Sequence, residues 1–201
     1  FCDAWQSVEK MVVYYLKKWW TSDTKLWITG HSLGGALAAM ATISLEAQGY
    51  KVSGLYTFGQ PRIADWQMVN YMNGQMRDRM VRYANNNDVV PLIPPQIIPW
   101  VPTRVYGHMG NFRYFTFMGN LRRQSWLGQR FPDRILGFIT ALWKSGPDAI
   151  DDHKMEFYLA NLEKALAKEE EEERLEIERQ ALSGEFVEDL KQRLARRKGN
   201  G

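Results

Sequence analysis

Apolar residues recur at helical spacing from Ala4 to Trp20. Trp5, Val8, Val12, Tyr15, Leu16 and Trp19 share one side, and Glu9, Lys10, Lys17 and Lys18 fall mostly elsewhere. This predicts an amphipathic helix lying on a sheet. The period then changes. Lys25–Thr29 is rich in Trp, Leu, Ile and Thr and reads as a strand. Ala36–Ala41 is built of strong helix formers, and Val52–Phe58, bounded by Gly49 and Gly59, reads as a second strand. A strand, a helix and a strand in that order form a βαβ unit, which is parallel and right-handed. The fold class expected is therefore α/β, with a mostly parallel sheet and helices on both faces.

The remaining pattern extends this unit. Ala64–Met76 reads as a helix and Arg79–Ala84 as a third strand, followed by the polar cluster Asn85-Asn86-Asn87-Asp88. Five prolines between Pro91 and Pro102 predict an irregular loop. Thr103–Val105 and Phe112–Phe117 read as late strands, forming a hairpin around Gly107-His108-Met109-Gly110. Residues 119–133 are basic and contain glycine, as a surface loop would. Ile135–Trp143 is a short apolar helix, and a further helix is expected from Pro147-Asp148 through His153 to Leu162.

Beyond Leu162 the composition shifts. Lys168-Glu169-Glu170-Glu171-Glu172-Glu173-Arg174 precedes Leu175, Ile177, Leu182, Phe186, Leu190 and Leu194. This predicts a mostly solvated helix, interrupted at Ser183-Gly184. The apolar spacing does not sustain heptads. The tail is thus a charged surface helix or, as the sharper alternative, a helix that binds a partner. The division expected is residues 1–160 for the α/β domain and 161–201 for the charged helical tail.

Composition narrows the function classes. The chain has 201 residues, 45% of them hydrophobic, enough for one domain and an appendage. A net charge of +3 is too small to point to nucleic acid. The single cysteine, Cys2, excludes an internal disulfide framework and leans toward a reducing compartment. No apolar run of about 18 residues is present, so no membrane span is expected. The chain opens on Phe1 rather than Met and enters a helical pattern at once, which suggests an upstream portion.

The chemistry centres on Gly30-His31-Ser32-Leu33-Gly34, a G-x-S-x-G between the first strand and its helix. Three fixed positions recur by chance in roughly one such chain in fifteen, taking Gly at about 7%. Its place between a strand and a helix is what makes the motif informative. Such an elbow lifts a serine hydroxyl to the rim of a sheet in a strained backbone conformation. Gly30 and Gly34 are expected to flank it because a Cβ at either would strike neighbouring backbone. The serine then stands at a helix N-terminus, where free N–H groups can hold an oxyanion.

A serine hydroxyl needs a base, and the base needs an orienting carboxylate. The chain has three histidines. His31 adjoins Ser32 on the elbow and points elsewhere, which leaves His108 and His153. The usual order is Ser, acid, His, with the acid and base on loops at the C-terminal strand ends. Asp88 fits the acid, whereas Asp65 and Asp78 start a helix and a strand on the far side of the sheet. Pattern alone leaves His108 and His153 both open. His108 also suits a structural histidine that donates to a backbone carbonyl. No Cys/His spacing suggests a metal, and no cofactor is expected.

At this point the chain resembles the class 3 lipases, the fungal-type triacylglycerol lipases with an α/β-hydrolase fold. The matching stretches are Thr29–Ala38, Thr57-Phe58-Gly59-Gln60-Pro61-Arg62, Asn87–Pro95, Tyr106-Gly107-His108, and Asp152-His153-Lys154-Met155-Glu156-Phe157-Tyr158. The resemblance covers about residues 1–160. It implies Ser32 as nucleophile, Asp88 as acid, His153 as base and the Leu33 N–H as one oxyanion donor, with His108 non-catalytic. It also implies that the second oxyanion donor, the lid and the first strands of the sheet lie upstream of Phe1. The segment alone is then expected to be weakly active or insoluble. The activity implied is hydrolysis of lipid carboxylic esters through an acyl-enzyme. A phospholipase, a galactolipase or another carboxylesterase fits the same elbow, and a lipase-like binding protein without catalysis is the rival from another class. The partner implied is a lipid or other ester substrate. Ile97, Ile98, Trp100 and Val101 would make transient contact with a lipid interface or pack on the core.

Overall fold

The fold is taken from a computed structural model that describes residues 1–21, 23–85, 88–94, 97–98, 101–116, 118–123 and 153–198. The chain separates into two compact units, Phe1–Asn161 and Leu162–Gly201. The first carries all the residues singled out for chemistry.

Its elements, in order, are α1 (Cys2–Trp19), β1 (Leu26–His31), α2 (Leu33–Ala47), β2 (Val52–Phe58), β3 (Ala64–Asp65), α3 (Trp66–Met76), β4 (Met80–Ala84), β5 (Ile97–Ile98), β6 (Val101–Gly107), β7 (Asn111–Phe115) and β8 (Leu121–Arg123). A final helix, α4, runs from Met155 to Lys198. The main sheet has the order β1-β2-β4-β7-β8. Its first four strands are mutually parallel, and β8 returns antiparallel on β7. Strands β3, β6 and β5 form a small antiparallel sheet apart from it. The mostly parallel sheet flanked by helices is the architecture expected from the sequence.

Small residues explain the packing of α2. Gly35, Ala36, Ala38, Ala39 and Ala41 are buried, so the helix backbone comes close to β1 and β2. Leu45, near its end, is 1% exposed, a burial worth about 1.5–3 kcal/mol. Val52, Leu55, Val69, Met72, Met76, Met80 and Met109 continue this core. On α1 the buried side matches the predicted one only in part. Trp5 is buried and Val13 and Leu16 pack on the core, whereas Tyr15 and Trp19 are exposed and stack on each other with centroids 5.5 Å apart.

Several predicted boundaries change. Ala64 and Asp65 pair with Tyr106 and Gly107 as β3, and the Asp65 side chain then caps α3 by accepting from the Met68 N–H at 2.9 Å. The 103–105 and 112–117 segments do not form a hairpin. β6 pairs with β3 and β5, while β7 joins the main sheet beside β4, because the parallel slot next to β4 is the one that buries Phe112 and Phe115. Leu121–Arg123, assigned to a loop, is strand β8, joined to β7 by a turn in which Gly119 has φ +73°. Two short strands, β5 and the start of β6, fall within the proline-rich stretch. α4 begins at Met155, so His153 precedes the helix instead of lying in it, and Ser183-Gly184 does not interrupt it. Neighbouring helix formers carry a single internal glycine at a loss of only about 1 kcal/mol. Asn86, Asn87, Trp100, the 124–133 part of the predicted loop, the 135–143 helix and residues 147–152 lie outside the described residues. None of the described helices is long and apolar enough to cross a membrane.

Candidate active site

Parallel register brings three strand ends together. His31, the last residue of β1, pairs with Phe58, the last of β2, and Phe58 pairs with Tyr83 near the end of β4. The segments leaving these strands carry Ser32, Gly59, and Asn85 with Asp88, so all three leave the sheet at its C-terminal edge. Ligands and reacting groups collect at that edge in parallel α/β sheets.

Ser32 occupies the strained turn. Its φ of 55° and ψ of −126° make it the one non-glycine residue with positive φ among the described residues. The strand-to-helix reversal imposes this, since β1 ends at His31 and α2 begins at Leu33. A bond from the Ser32 N–H to Phe58 O, 2.9 Å long, holds the strained residue to β2. The Leu33 N–H, at the first position of α2, has no intrahelical acceptor, and the residue is exposed.

The two elbow glycines behave differently. A Cβ on Gly30 would lie 2.2 Å from Gly34 O, so glycine is required there. A Cβ on Gly34 would meet nothing within 4 Å, contrary to the expected collision. The second crowded position is Gly35, where a Cβ would come to 3.1 Å from Gly30 O and 3.2 Å from Gln60 Cβ. One helical residue of rotation turns Gly34 away from β1 and brings Gly35 against it.

Around Ser32 the polar groups form one chain. Ser32 Oγ lies 2.7 Å from His153 Nε2. His153 Nδ1 lies 2.9 Å and 3.0 Å from the two oxygens of Asp88. The Asp88 side chain is fully buried and that of His153 is 18% exposed. A buried carboxylate needs donors. Asp88 Oδ1 also accepts from the Val90 N–H at 2.9 Å, and Oδ2 accepts from the Tyr158 hydroxyl at 2.5 Å. With Nδ1–H committed to Asp88, the neutral ring presents Nε2 as an acceptor to the serine hydroxyl.

His108 is engaged elsewhere. Its Nε2 donates to Pro91 O at 2.7 Å, the structural role open to it from the sequence. His31 does not face Ser32. Its Nε2–H donates to the backbone carbonyl of His153 at 2.6 Å, and its ring lies against the His153 ring with centroids 4.6 Å apart. The structure therefore brings Ser32, Leu33, Asp88 and His153 together and leaves His108 out.

Residues 1–98 match the family model for class 3 lipases. Over this segment the chain is similar to the class 3 lipases. The match includes Ser32 and Asp88, and His153 lies beyond it. Triacylglycerol lipase OBL1 of Arabidopsis thaliana is 33% identical over 131 residues, which are 58% of this chain and 24% of the plant protein. Secreted mono- and diacylglycerol lipase A of Penicillium cyclopium is 30% identical over 96 residues, 47% of this chain and 31% of the fungal protein. Among solved structures, the mono- and diacylglycerol lipase of Aspergillus oryzae superposes with a TM-score of 0.50 at 29% identity, covering 57% of this chain and 40% of the other. The chain thus spans between about a quarter and a third of the length of these sequence relatives. The neighbour establishes the α/β-hydrolase fold.

Around this site, sequence reasoning missed three groups: Tyr158, His31 and Gly59. Tyr158 is wholly buried and lies in the motif stretch that follows His153, which was its one signal. Its hydroxyl accepts from the Asn85 N–H at 3.0 Å while donating to Asp88, so it ties the acid to the end of β4. The Asn161 amide adds a second tie to Asn85 Oδ1 at 3.1 Å. Burial first, and then the negative charge and hydrogen bond of Asp88, push the Tyr158 hydroxyl far above its ordinary value of 10.0. It stays a neutral donor.

The sign of the resulting pH dependence follows. Above about pH 10 the unfolded tyrosine loses its proton and the folded one keeps it, so the unfolded state binds fewer protons and stability falls as pH rises. Below the unfolded value the contribution is complete. Urea unfolding at about pH 9 and about pH 11 is expected to show a steeper loss for wild type than for Tyr158→Phe, by up to about 1.4 kcal/mol per pH unit. Equal slopes would contradict the buried, carboxylate-bound hydroxyl.

Proposed function

We propose that this protein hydrolyses the carboxylic esters of lipids, as a triacylglycerol lipase-like serine hydrolase. The observation that carries the reading is the unbroken hydrogen-bonded chain from Ser32 Oγ through His153 to the buried Asp88 carboxylate. Three separate segments contribute to it. Its serine sits in the strained turn that such a nucleophile needs. The relatives named as triacylglycerol and as mono- and diacylglycerol lipases support an acylglycerol substrate.

In this reading His153 Nε2 takes the proton of Ser32 as Oγ attacks the ester carbonyl. The carbonyl oxygen becomes an oxyanion, and the Leu33 N–H at the start of α2 donates to it. Asp88 fixes the ring tautomer and stabilises the imidazolium. His153 then gives its proton to the leaving alkoxide, and the alcohol departs. Water, deprotonated by the same Nε2, attacks the acyl-Ser32 ester and releases the fatty acid. Charge and protons return to their starting places after each turnover.

The test is covalent capture. A fluorophosphonate probe, which loses fluoride to Ser32 Oγ and leaves a tetrahedral phosphonyl ester resembling the tetrahedral intermediate, is expected to label the full-length protein on Ser32, as read by mass spectrometry of the peptide around residue 32. Cys2→Ala should label to the same extent. No adduct on Ser32 in folded protein overturns the reading and leaves a binding protein on a lipase scaffold.

A further inference from the structure

The end of β2 lies between the nucleophile and its partners, and Gly59 stands there. Its φ is +57°. The peptide around it is fixed from both sides: Phe58 O accepts from the Ser32 N–H at 2.9 Å, and the Gly59 N–H donates to Tyr83 O at 3.0 Å. A Cβ on Gly59 would fall 2.7 Å from Asp88 Oδ2 and 2.9 Å from both Cε1 and Nδ1 of His153. Of these, Oδ2 and Nδ1 are the two ends of the Asp88–His153 hydrogen bond. Contacts under 3.0 Å force something to move, and little here is free to do so. Asp88 is held by Tyr158 and the Val90 N–H, and His153 by the His31 ring and its bond to the His153 carbonyl.

We infer that Gly59 is a positioning residue: the missing side chain at the end of β2 provides the space in which the Asp88 carboxylate and the His153 ring meet. A methyl group there wedges the pair apart. The ring loses its orienting partner and Nε2 leaves its line to Ser32 Oγ. This rests on the reading that Asp88 and His153 activate Ser32. Gly49 distinguishes steric invasion from backbone strain: its φ is also positive, +86°, and a Cβ there would meet nothing within 4 Å.

The experiment compares wild type, Ser32→Ala, Gly59→Ala, Gly59→Asn and Gly49→Ala in the full-length protein. Asparagine tolerates the left-handed backbone region yet still carries a Cβ. Both Gly59 variants are expected to lose about 100-fold or more in kcat on emulsified triacylglycerol, with KM nearly unchanged, as for a misplacement of about 1 Å. Gly49→Ala should lose stability and keep its kcat per folded molecule. The downfield proton resonance of His153 Nδ1–H should vanish or shift in Gly59→Asn and persist in Gly49→Ala. A folded Gly59→Asn that keeps both kcat and the resonance overturns the inference.

The resonance also separates the two readings. A wild type with no more turnover than Ser32→Ala defeats the hydrolase reading. Loss of the resonance in Gly59→Asn would still support the positioning role. Should the Gly59 variants unfold, an Asp88→Ala/His153→Ala background, which removes both groups the Cβ would strike, decides. Relief of the clash should restore folded yield to Gly59→Ala in that background, and an equal penalty in both backgrounds means strain alone and overturns the proposal.

Discussion

His153→Ala is expected to lower kcat on a lipid ester by about a million-fold, whereas His108→Ala should stay within a few-fold of wild type. The difference follows from what each ring touches. Among the described residues, His153 is the imidazole hydrogen-bonded to Ser32, with Nε2 2.7 Å from Oγ. Without it the hydroxyl has no base, and attack and leaving-group protonation fail together. Removing one member of such a unit destroys nearly all of its effect, so the loss approaches that of removing the whole unit. His108 instead donates to Pro91 O at 2.7 Å, and its removal frees one carbonyl beside the 3-10 turn Val90–Leu92. That loss belongs to stability, of the order of 1 kcal/mol. The measurement is kcat on emulsified triacylglycerol with circular dichroism to verify folding. An equal loss of turnover in folded His108→Ala would undo the assignment of the base.

The parts legible in the sequence are those written in local pattern. The apolar run before Gly30, the alanine-rich stretch after it and the second strand at Val52–Phe58 each carry their own period, and parallel pairing of β1 with β2 follows from the single helix between them. The acid was legible because a polar cluster directly follows an apolar strand. Non-local pairing was not. Nothing in Val101–Phe115 says that β6 leaves for β3 and β5 while β7 takes the slot beside β4, since both read as similar short strands. The crowding of Gly35 rather than Gly34 depends on the rotation of α2 over β1, a matter of helix phase that G-x-S-x-G does not encode. The choice between His108 and His153 likewise turned on long-range placement: 121 residues separate Ser32 from the imidazole at its hydroxyl. Supporting groups such as Tyr158 and His31 are ordinary aromatic residues until the fold puts them against Asp88 and His153.

Asp88→Asn should fold, bind substrate as before and lose about 10,000-fold in kcat, an effect known in size from serine proteases with the same arrangement. The local hydrogen bonds explain why an isosteric change is so damaging. Oδ1 accepts from the Val90 N–H, a donor that cannot turn round, so the asparagine oxygen must take that place. The amide NH2 then occupies the Oδ2 position, beside the Tyr158 hydroxyl and His153 Nδ1. The hydroxyl can rotate and accept. The ring adapts by the only means available to it, making Nδ1 the acceptor and carrying its proton on Nε2. Nε2–H now points at Ser32 Oγ, and the base has become a donor. The imidazolium that forms in the transition state also loses the buried negative charge that stabilised it. Asp88 touches no substrate atom, so KM should hardly move. Steady-state kinetics on the full-length protein separate the two parameters, and a denaturation curve with wild-type slope excludes unfolding as the cause. A folded Asp88→Asn that retains a tenth or more of the wild-type kcat would show that Asp88 serves the packing around Tyr158 and not the orientation of His153.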